Sequence, residues 1–204
     1  MKKLVIFDFD GVLVNTIEFC FNGHKKSNPD LTFEKFQSFC DGNWHDGLCK
    51  AVEDGAHTIP ENWSAIYGEK LKELTVSEIL DETIKILSEK YLLTVVSSTD
   101  SFLIDNFLKK ENVRECFSDI LGADVERSKV IKINSLLKKY DLKLDDVVFI
   151  TDSLGDILEA NECGVKSVGV TWGIHPRKNL EKGKPVAIID DPRDLEKVIK
   201  NVLK

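Results

Sequence analysis

Apolar and polar positions follow two different rhythms along this chain. Between about residues 15 and 79, apolar residues recur at helical spacing and are interrupted by breakers: Asn28-Pro29-Asp30, Gly42-Asn43, Gly55 and Thr58-Ile59-Pro60. The clearest helix of that region carries Trp63, Ile66, Tyr67, Leu71 and Leu74 at helical spacing, with Pro60 suited to its first turn. From about Leu80 onward, short β-branched runs alternate with amphipathic stretches. Leu92–Ser97, Val147–Thr151, Val165–Val170 and Val186–Ile189 read as strands; Phe102–Lys110, Lys129–Tyr140 and Leu154–Cys163 read as helices. A last helix starts near Pro192, with Leu195, Val198, Ile199, Val202 and Leu203 on one face. Such alternation predicts right-handed βαβ units and a parallel sheet. The apolar run Leu4–Phe7 stands apart in sequence and is expected to join the same sheet. The predicted fold class is therefore α/β, a Rossmann-like parallel sheet flanked by helices. Residues 1–14 and 80–204 form the core, and residues 15–79 form a small α-helical domain inserted after the first strand.

Composition narrows the function classes. A chain of 204 residues, 31% charged and 42% hydrophobic, is ordinary for a globular protein and can bury a sizeable core. Its net charge of -7 argues against nucleic-acid and anionic-membrane partners. An anionic substrate then needs a locally positive site or a metal. The five cysteines are widely spaced with no C-x-x-C pair, which is neither a disulfide framework nor a zinc site. The first apolar run is too short for a signal peptide and no stretch approaches a membrane span, so a reduced, cytoplasmic setting is expected.

Four polar clusters stand out, three of them directly after a predicted strand, where open α/β sheets hold their ligands. In Asp8-Phe9-Asp10-Gly11, two carboxylates one residue apart point to the same side of the pleat, and their repulsion asks for a cation or a shared proton. Ser97-Ser98-Thr99-Asp100 opens a helix, where hydroxyls and free N–H groups suit a phosphate, although simple N-capping uses the same residues. Lys129, after Arg127-Ser128, puts a cation in the first turn of a helix against its dipole. Neutralising a phosphoryl group would explain it; membership of a lysine-rich helix is the plainer account. Asp152-Ser153-Leu154-Gly155-Asp156 offers two aspartates at a strand-to-helix junction, suited to Mg²⁺ or to ordinary capping.

In their order and spacing, DFDGVL, VVSSTD, ERSK and VFITDSLGDILEANECGVKSVGVTWG resemble the haloacid dehalogenase-like superfamily. The resemblance is to its phosphoglycolate phosphatase-like branch, with a helical cap inserted after the first strand. It covers the core; the cap resembles the family only in position and helical character. The resemblance implies a hydrolase that forms an aspartyl-phosphate. Asp8 would be the nucleophile and Asp10 the acid/base. Mg²⁺ would bind Asp8, the Asp10 backbone carbonyl and Asp152, with Asp156 a further ligand or a support. Ser97 would hold a phosphoryl oxygen, beside Ser98, and Lys129 would offset charge. One departure is Thr151, where many relatives have glycine.

The expected partner is a small-molecule phosphate ester, of unspecified identity, and the sequence does not define an oligomeric state. Asn43 and Trp44, with His45, are the cap residues best placed to meet it, although Trp44 suits the cap core equally. His24 and His57 read as surface residues, and His175 as a residue of the rim. Two other functions share these motifs: a β-phosphoglucomutase-like sugar phosphomutase, and a non-catalytic phospho-ligand-binding protein. Mutase relatives carry a cap histidine where this chain has Cys20, and a non-catalytic member would lack Asp8, Asp10 or Lys129. A phospho-receiver domain fits neither the insertion nor a nucleophile on the first strand.

Overall fold

Residues 3–203 are described by a computed structural model of the chain. Six strands, β1 (Leu4–Phe7), β2 (Leu92–Val96), β3 (Phe117–Leu121), β4 (Val147–Thr151), β5 (Lys166–Val170) and β6 (Ala187–Ile189), form one sheet in the order β3-β2-β1-β4-β5-β6. Every pairing is parallel.

The first strand is the middle of that sheet. Its four residues are fully buried, and they divide between the two faces as a period of two requires. Val5 and Phe7 pack with Val148, Ile150, Leu93 and Val95 against α5 (Glu78–Ser88), α6 (Ser101–Lys110) and α10 (Leu195–Val202). Leu4 and Ile6 pack with Val147 and Phe149 against α7 (Lys129–Tyr140) and α8 (Leu154–Glu162). Fully burying side chains of this kind contributes about 1.5–3 kcal/mol each before entropy is counted, so a charge placed anywhere in Leu4–Phe7 would be severely destabilising.

The register sets up the functional edge. Phe7 is level with Val95 on one side and Ile150 on the other, so Asp8, Ser97 and Asp152 all emerge at the same carboxyl end.

Between β1 and α5 lie four helices: α1 (Ile17–Ser27), α2 (Phe33–Ser38), α3 (Trp44–Glu53) and α4 (Trp63–Glu73). Leu31, Phe36, Phe39 and Ala51 make their own cluster, and Ile174 from beyond β5 joins it. The sequence boundary at residue 80 falls inside α5, whose Ser77 accepts the Leu80 N–H as N-cap and whose Leu80, Ile84 and Leu87 lie in the sheet core. A short helix, α9 (Arg177–Leu180), completes the set.

The sequence pattern missed β3. Within it only Phe117 is buried; Ser118 and Asp119 interrupt the apolar run because β3 is an edge strand. Asp119 is used by α7, accepting from Lys139 Nζ at 2.6 Å and from Tyr140 Oη. None of the described helices is long and apolar enough to cross a membrane.

Candidate active site

Asp8 continues the line of β1, its N–H donating to Ile150 O at 2.9 Å. The chain then turns back tightly: Gly11, at φ +72°, donates to Val14 O at 2.8 Å. This turn leaves Asp8 buried and brings Asp10 into a set of hydroxyls. Thr16 Oγ1 (2.6 Å) and Tyr67 Oη (2.5 Å) donate to one oxygen of Asp10, and Thr99 Oγ1 (2.7 Å) to the other. Three different segments therefore fix this carboxylate, and the phenol of Tyr67 is held well above its ordinary pKa by burial and by the negative Asp10. Tyr67 belongs to the apolar stripe of α4 in the sequence, and its hydroxyl end gave no signal there.

Lys129 lies almost fully buried between two carboxylates, 3.0 Å from Asp8 and 2.7 Å from Asp156. Ser128 caps α7 by accepting the Ile131 N–H, which aims this first-turn lysine at the strand ends. Burial works against its charge, but Asp156 and Asp8 win and raise its pKa well above the ordinary lysine value. Asp156 responds in the opposite sense: burial opposes ionisation, yet Lys129 and the Thr151 hydroxyl hold it below the usual carboxylate range. Asp8 goes up, through burial first and then the charges of Asp156 and Asp152, against the pull of Lys129. Asp152 is pushed up to about 7, mainly by burial, with the Ile174 N–H (2.6 Å) partly offsetting it.

The departure at Thr151 has a structural use. Its hydroxyl donates to Asp156 (2.7 Å) and accepts the Ser153 N–H (3.1 Å), bracing both ends of the turn into α8. A glycine there could do neither.

Ser97 is fully buried, and its hydroxyl accepts the Thr99 N–H at 3.0 Å. Its carbonyl receives a less expected partner: Lys132 Nζ, one helical turn beyond Lys129, donates to Ser97 O (2.7 Å) and Gly122 O (3.3 Å). Burial, then the charge of Lys129, lowers the Lys132 pKa to about 8 from 10.5. Lys132→Met strips the buried Ser97 O of its donor and Gly122 O of one of several, and should cost about 1–3 kcal/mol. Between pH 8 and 10.5 the unfolded chain holds more protons at this lysine than the folded one, so the wild type should gain stability over the variant as pH rises through that window. Urea unfolding of both proteins at pH 7 and pH 10 measures both effects.

These groups line one cavity of about 340 Å³ between the strand ends and the inserted helices. Asp8, Asp10, Ser97, Ser98, Lys129, Asp152 and Asp156 all reach it. Trp44 does too, and it also packs on Phe36 and Phe39 in the cluster of the inserted helices. His45 lines the wall. Asn43 does not line it: its oxygen caps α3 by accepting from His45 and Asp46, and its amide donates to Glu159 (3.1 Å) and Arg127 O (3.3 Å). Its role visible here is joining the inserted helices to α8.

Three histidines differ from their sequence reading. His24 and His57 are buried side by side, Nδ1 to Nε2 at 2.8 Å, because aromatic rings enclose them. His175 is fully buried beneath the insertion, not on a rim. Its Nδ1 accepts the Leu154 N–H (2.9 Å), leaving Nε2 to donate to Gln37 O (3.2 Å). Close beside it, Gly155 donates to Cys40 O at 2.8 Å, and a Cβ on Gly155 would stand 1.9 Å from Gly42 O.

The family model of haloacid dehalogenase-like hydrolases matches residues 5–170, most of the chain. The chain belongs to that family. Among its relatives, a phosphoglycolate phosphatase of Vibrio parahaemolyticus is 23% identical over 222 residues, covering 97% of this chain and 96% of its own. One from Synechococcus elongatus is also 23% identical and covers 99% of both chains. A solved hydrolase from Pseudomonas syringae shares the fold over 100% of both chains, with a TM-score of 0.81 at 17% identity. The chain is thus a haloacid dehalogenase-like phosphatase of the phosphoglycolate phosphatase-like branch.

Membership in this family implies a divalent metal, and the residues suit one. Asp8 and Asp156 share Lys129, the one lysine or arginine among the described cavity-lining residues, and Asp152 pairs with no cation there, so negative charge is in excess. The donors are hard oxygens, as Mg²⁺ prefers. A Cβ on Gly11 or Gly173 would come within 2.0 or 2.1 Å of Asp152 Oδ2, so glycine on both sides keeps space for that carboxylate. Among the described residues no three such side chains form a ready-made metal cage. That is usual for Mg²⁺, which binds through one or two carboxylates with water and phosphate oxygens.

Proposed function

We propose that the protein is a Mg²⁺-dependent phosphatase that hydrolyses small phosphomonoesters through an aspartyl-phosphate on Asp8, with α1–α4 as a cap over the reaction. The observation that carries the proposal is the convergence of Asp8, Asp10, Ser97, Lys129 and Asp152 on one cavity. In the first half-reaction the Asp8 carboxylate attacks phosphorus and the ester bond breaks, while Asp10 gives its proton to the departing oxygen. In the second, Asp10 takes a proton from water, whose oxygen attacks the phosphoryl group; phosphate leaves and the Asp8 carboxylate is restored. The hydroxyls of Thr16, Tyr67 and Thr99 hold Asp10 in place for both transfers. Ser97 and Lys129 suit the phosphoryl oxygens, Lys129 by charge. Asp8, the Asp10 carbonyl and Asp152 would hold Mg²⁺, with Asp156 anchoring Lys129 beside them; the ion supplies neutralisation of the phosphoryl group. Gly155, Asn43 and His175 tie the cap down, which keeps bulk water out.

Hydrolysis is favoured over phosphate transfer between sugar hydroxyls by the surroundings of Asp10. Among the described residues its side-chain partners are three hydroxyls and no histidine, and Cys20 occupies the cavity wall where mutase relatives carry histidine. The test is phosphate release from a panel of phosphomonoesters. Activity should require Mg²⁺ and vanish with EDTA, and Asp10→Asn should slow turnover by about 10²–10⁴-fold. Release that is indifferent to both would remove this mechanism.

A further inference from the structure

The two ends of the cavity have opposite character. At the strand ends are Asp8, Asp10, Asp100, Asp152 and Asp156 with a single cation, Lys129. That lysine is engaged by two of those carboxylates, at 3.0 and 2.7 Å. The rest of the wall is largely apolar, built by Phe36, Trp44, Leu48, Trp63 and Leu103, with no arginine or lysine.

Two histidines line the same cavity, and neither supplies charge near neutral pH. His24 is brought down to about 4 by burial and by His57, and His45 is lowered by burial and then by the charges of Arg127, Lys132 and Lys129. The rings there are held rigidly. Trp63 stacks on Phe19 with centroids 5.5 Å apart, and His24 meets Trp63 edge-on at 4.8 Å. A pre-built aromatic wall of this kind gains from a flat apolar guest without the cost of ordering side chains. His45 Nε2, elsewhere on the cavity wall toward Lys129, is buried with no partner among the described residues, one hydrogen-bonding atom for a neutral group on the guest.

A second anion on the substrate meets the reverse situation. It would have to leave water for a wall of rings, and the one lysine or arginine that lines the cavity is already engaged by Asp8 and Asp156. We infer that the leaving group of the true substrate is uncharged and presents a flat apolar face to the Trp44–Trp63 wall, and that esters carrying a carboxylate, such as phosphoglycolate, are poor substrates. This rests on the phosphatase reading above. The shared chemistry is met by phosphates of aromatic alcohols and by nucleoside monophosphates.

The experiment compares kcat/KM for benzyl phosphate, uridine 5′-monophosphate and 2-phosphoglycolate, all primary alkyl esters, in Mg²⁺. At least one of the first two should exceed phosphoglycolate by about 100-fold or more, the size of discrimination a pocket achieves when a group is left without its partner. Benzyl phosphate in the lead points to simple aromatic alcohols, and the nucleotide in the lead points to nucleosides. Ile59→Arg places a cation on the cavity wall at a residue 45% exposed, where a charged head can stay wet. It should narrow the ratio at least about tenfold by improving phosphoglycolate. Phosphoglycolate hydrolysed as well as the other two by the wild type overturns the inference and leaves the phosphatase intact. No release from any of the three, in folded protein with Mg²⁺, overturns both.

Discussion

In the Asp8→Asn protein, phosphate release falls by a factor on the order of 10⁴ or more for every ester, because an amide cannot form the acyl-phosphate. The chain should nevertheless stay folded. Asparagine copies the neutral form of Asp8, and burial already favours that form in the native state. A carboxyl whose folded pKa is raised binds more protons folded than unfolded between the two pKa values, so its contribution to stability declines as pH rises through that window. The amide has no such decline. Metal-free melting curves should therefore show Asp8→Asn at least as stable as the wild type at pH 8, and relatively less favoured at pH 4. Appreciable turnover by this variant would sink the nucleophile assignment, and a collapse in stability would sink the electrostatic account of the site.

Lys129→Met is expected to fail on both counts. Removing the ammonium leaves Asp8, Asp152 and Asp156 buried beside one another with no cation. Breaking a buried pair by deleting one partner costs about 3–5 kcal/mol, more than the truncation of an exposed lysine ever does. The loss depends on pH. Without Lys129, Asp8 and Asp152 rise further and Asp156 loses what holds it low, the folded chain binds more protons than the unfolded one, and stability returns as pH falls toward 4. Unfolding in urea with EDTA at pH 5 and pH 8 should show the larger gap between variant and wild type at pH 8. Mg²⁺ should restore part of the stability at pH 8, since it binds the native carboxylates and not the unfolded chain. Equal destabilisation at both pH values would mean that packing, not charge, explains the residue.

How far this site could be read from the sequence varies with the kind of information each residue carries. Leu4–Phe7 and Val147–Thr151 were legible because a strand buried on both faces is a continuous apolar run. Asp8, Lys129, Asp152 and Asp156 each read singly as a cap or a solvated charge as well, and stood out together only through the order and spacing in which they resemble the family. The third strand was not, since an edge position tolerates Ser118 and Asp119 and erases the pattern. Tyr67, Thr16 and Thr99 were hidden for another reason. Hydrophobic period locates the body of a side chain, and these three act through a terminal hydroxyl. Lys132 looked like one more lysine on a lysine-rich helix; only the pairing of β2 with β3 brings one carbonyl from the end of each within its reach. His24 and His57 misled in the same way, because polar residues far apart in sequence satisfy each other only once the insertion has folded.

The central place of the first strand has a consequence for how the protein is made. Leu4–Phe7 leaves the ribosome before anything else in the sheet, yet its two neighbours, β2 and β4, are synthesised long afterwards, and β4 only once most of the chain exists. Until then four fully apolar residues have no sheet to enter, and their exposed backbone offers an edge to any other unpaired strand. Long-range parallel pairing of this sort also closes slowly. Asp8, the candidate nucleophile, is thus attached to the segment that waits longest for its partners, and the cluster of Asp8, Lys129, Asp152 and Asp156 cannot assemble before β4 and the start of α8 have emerged.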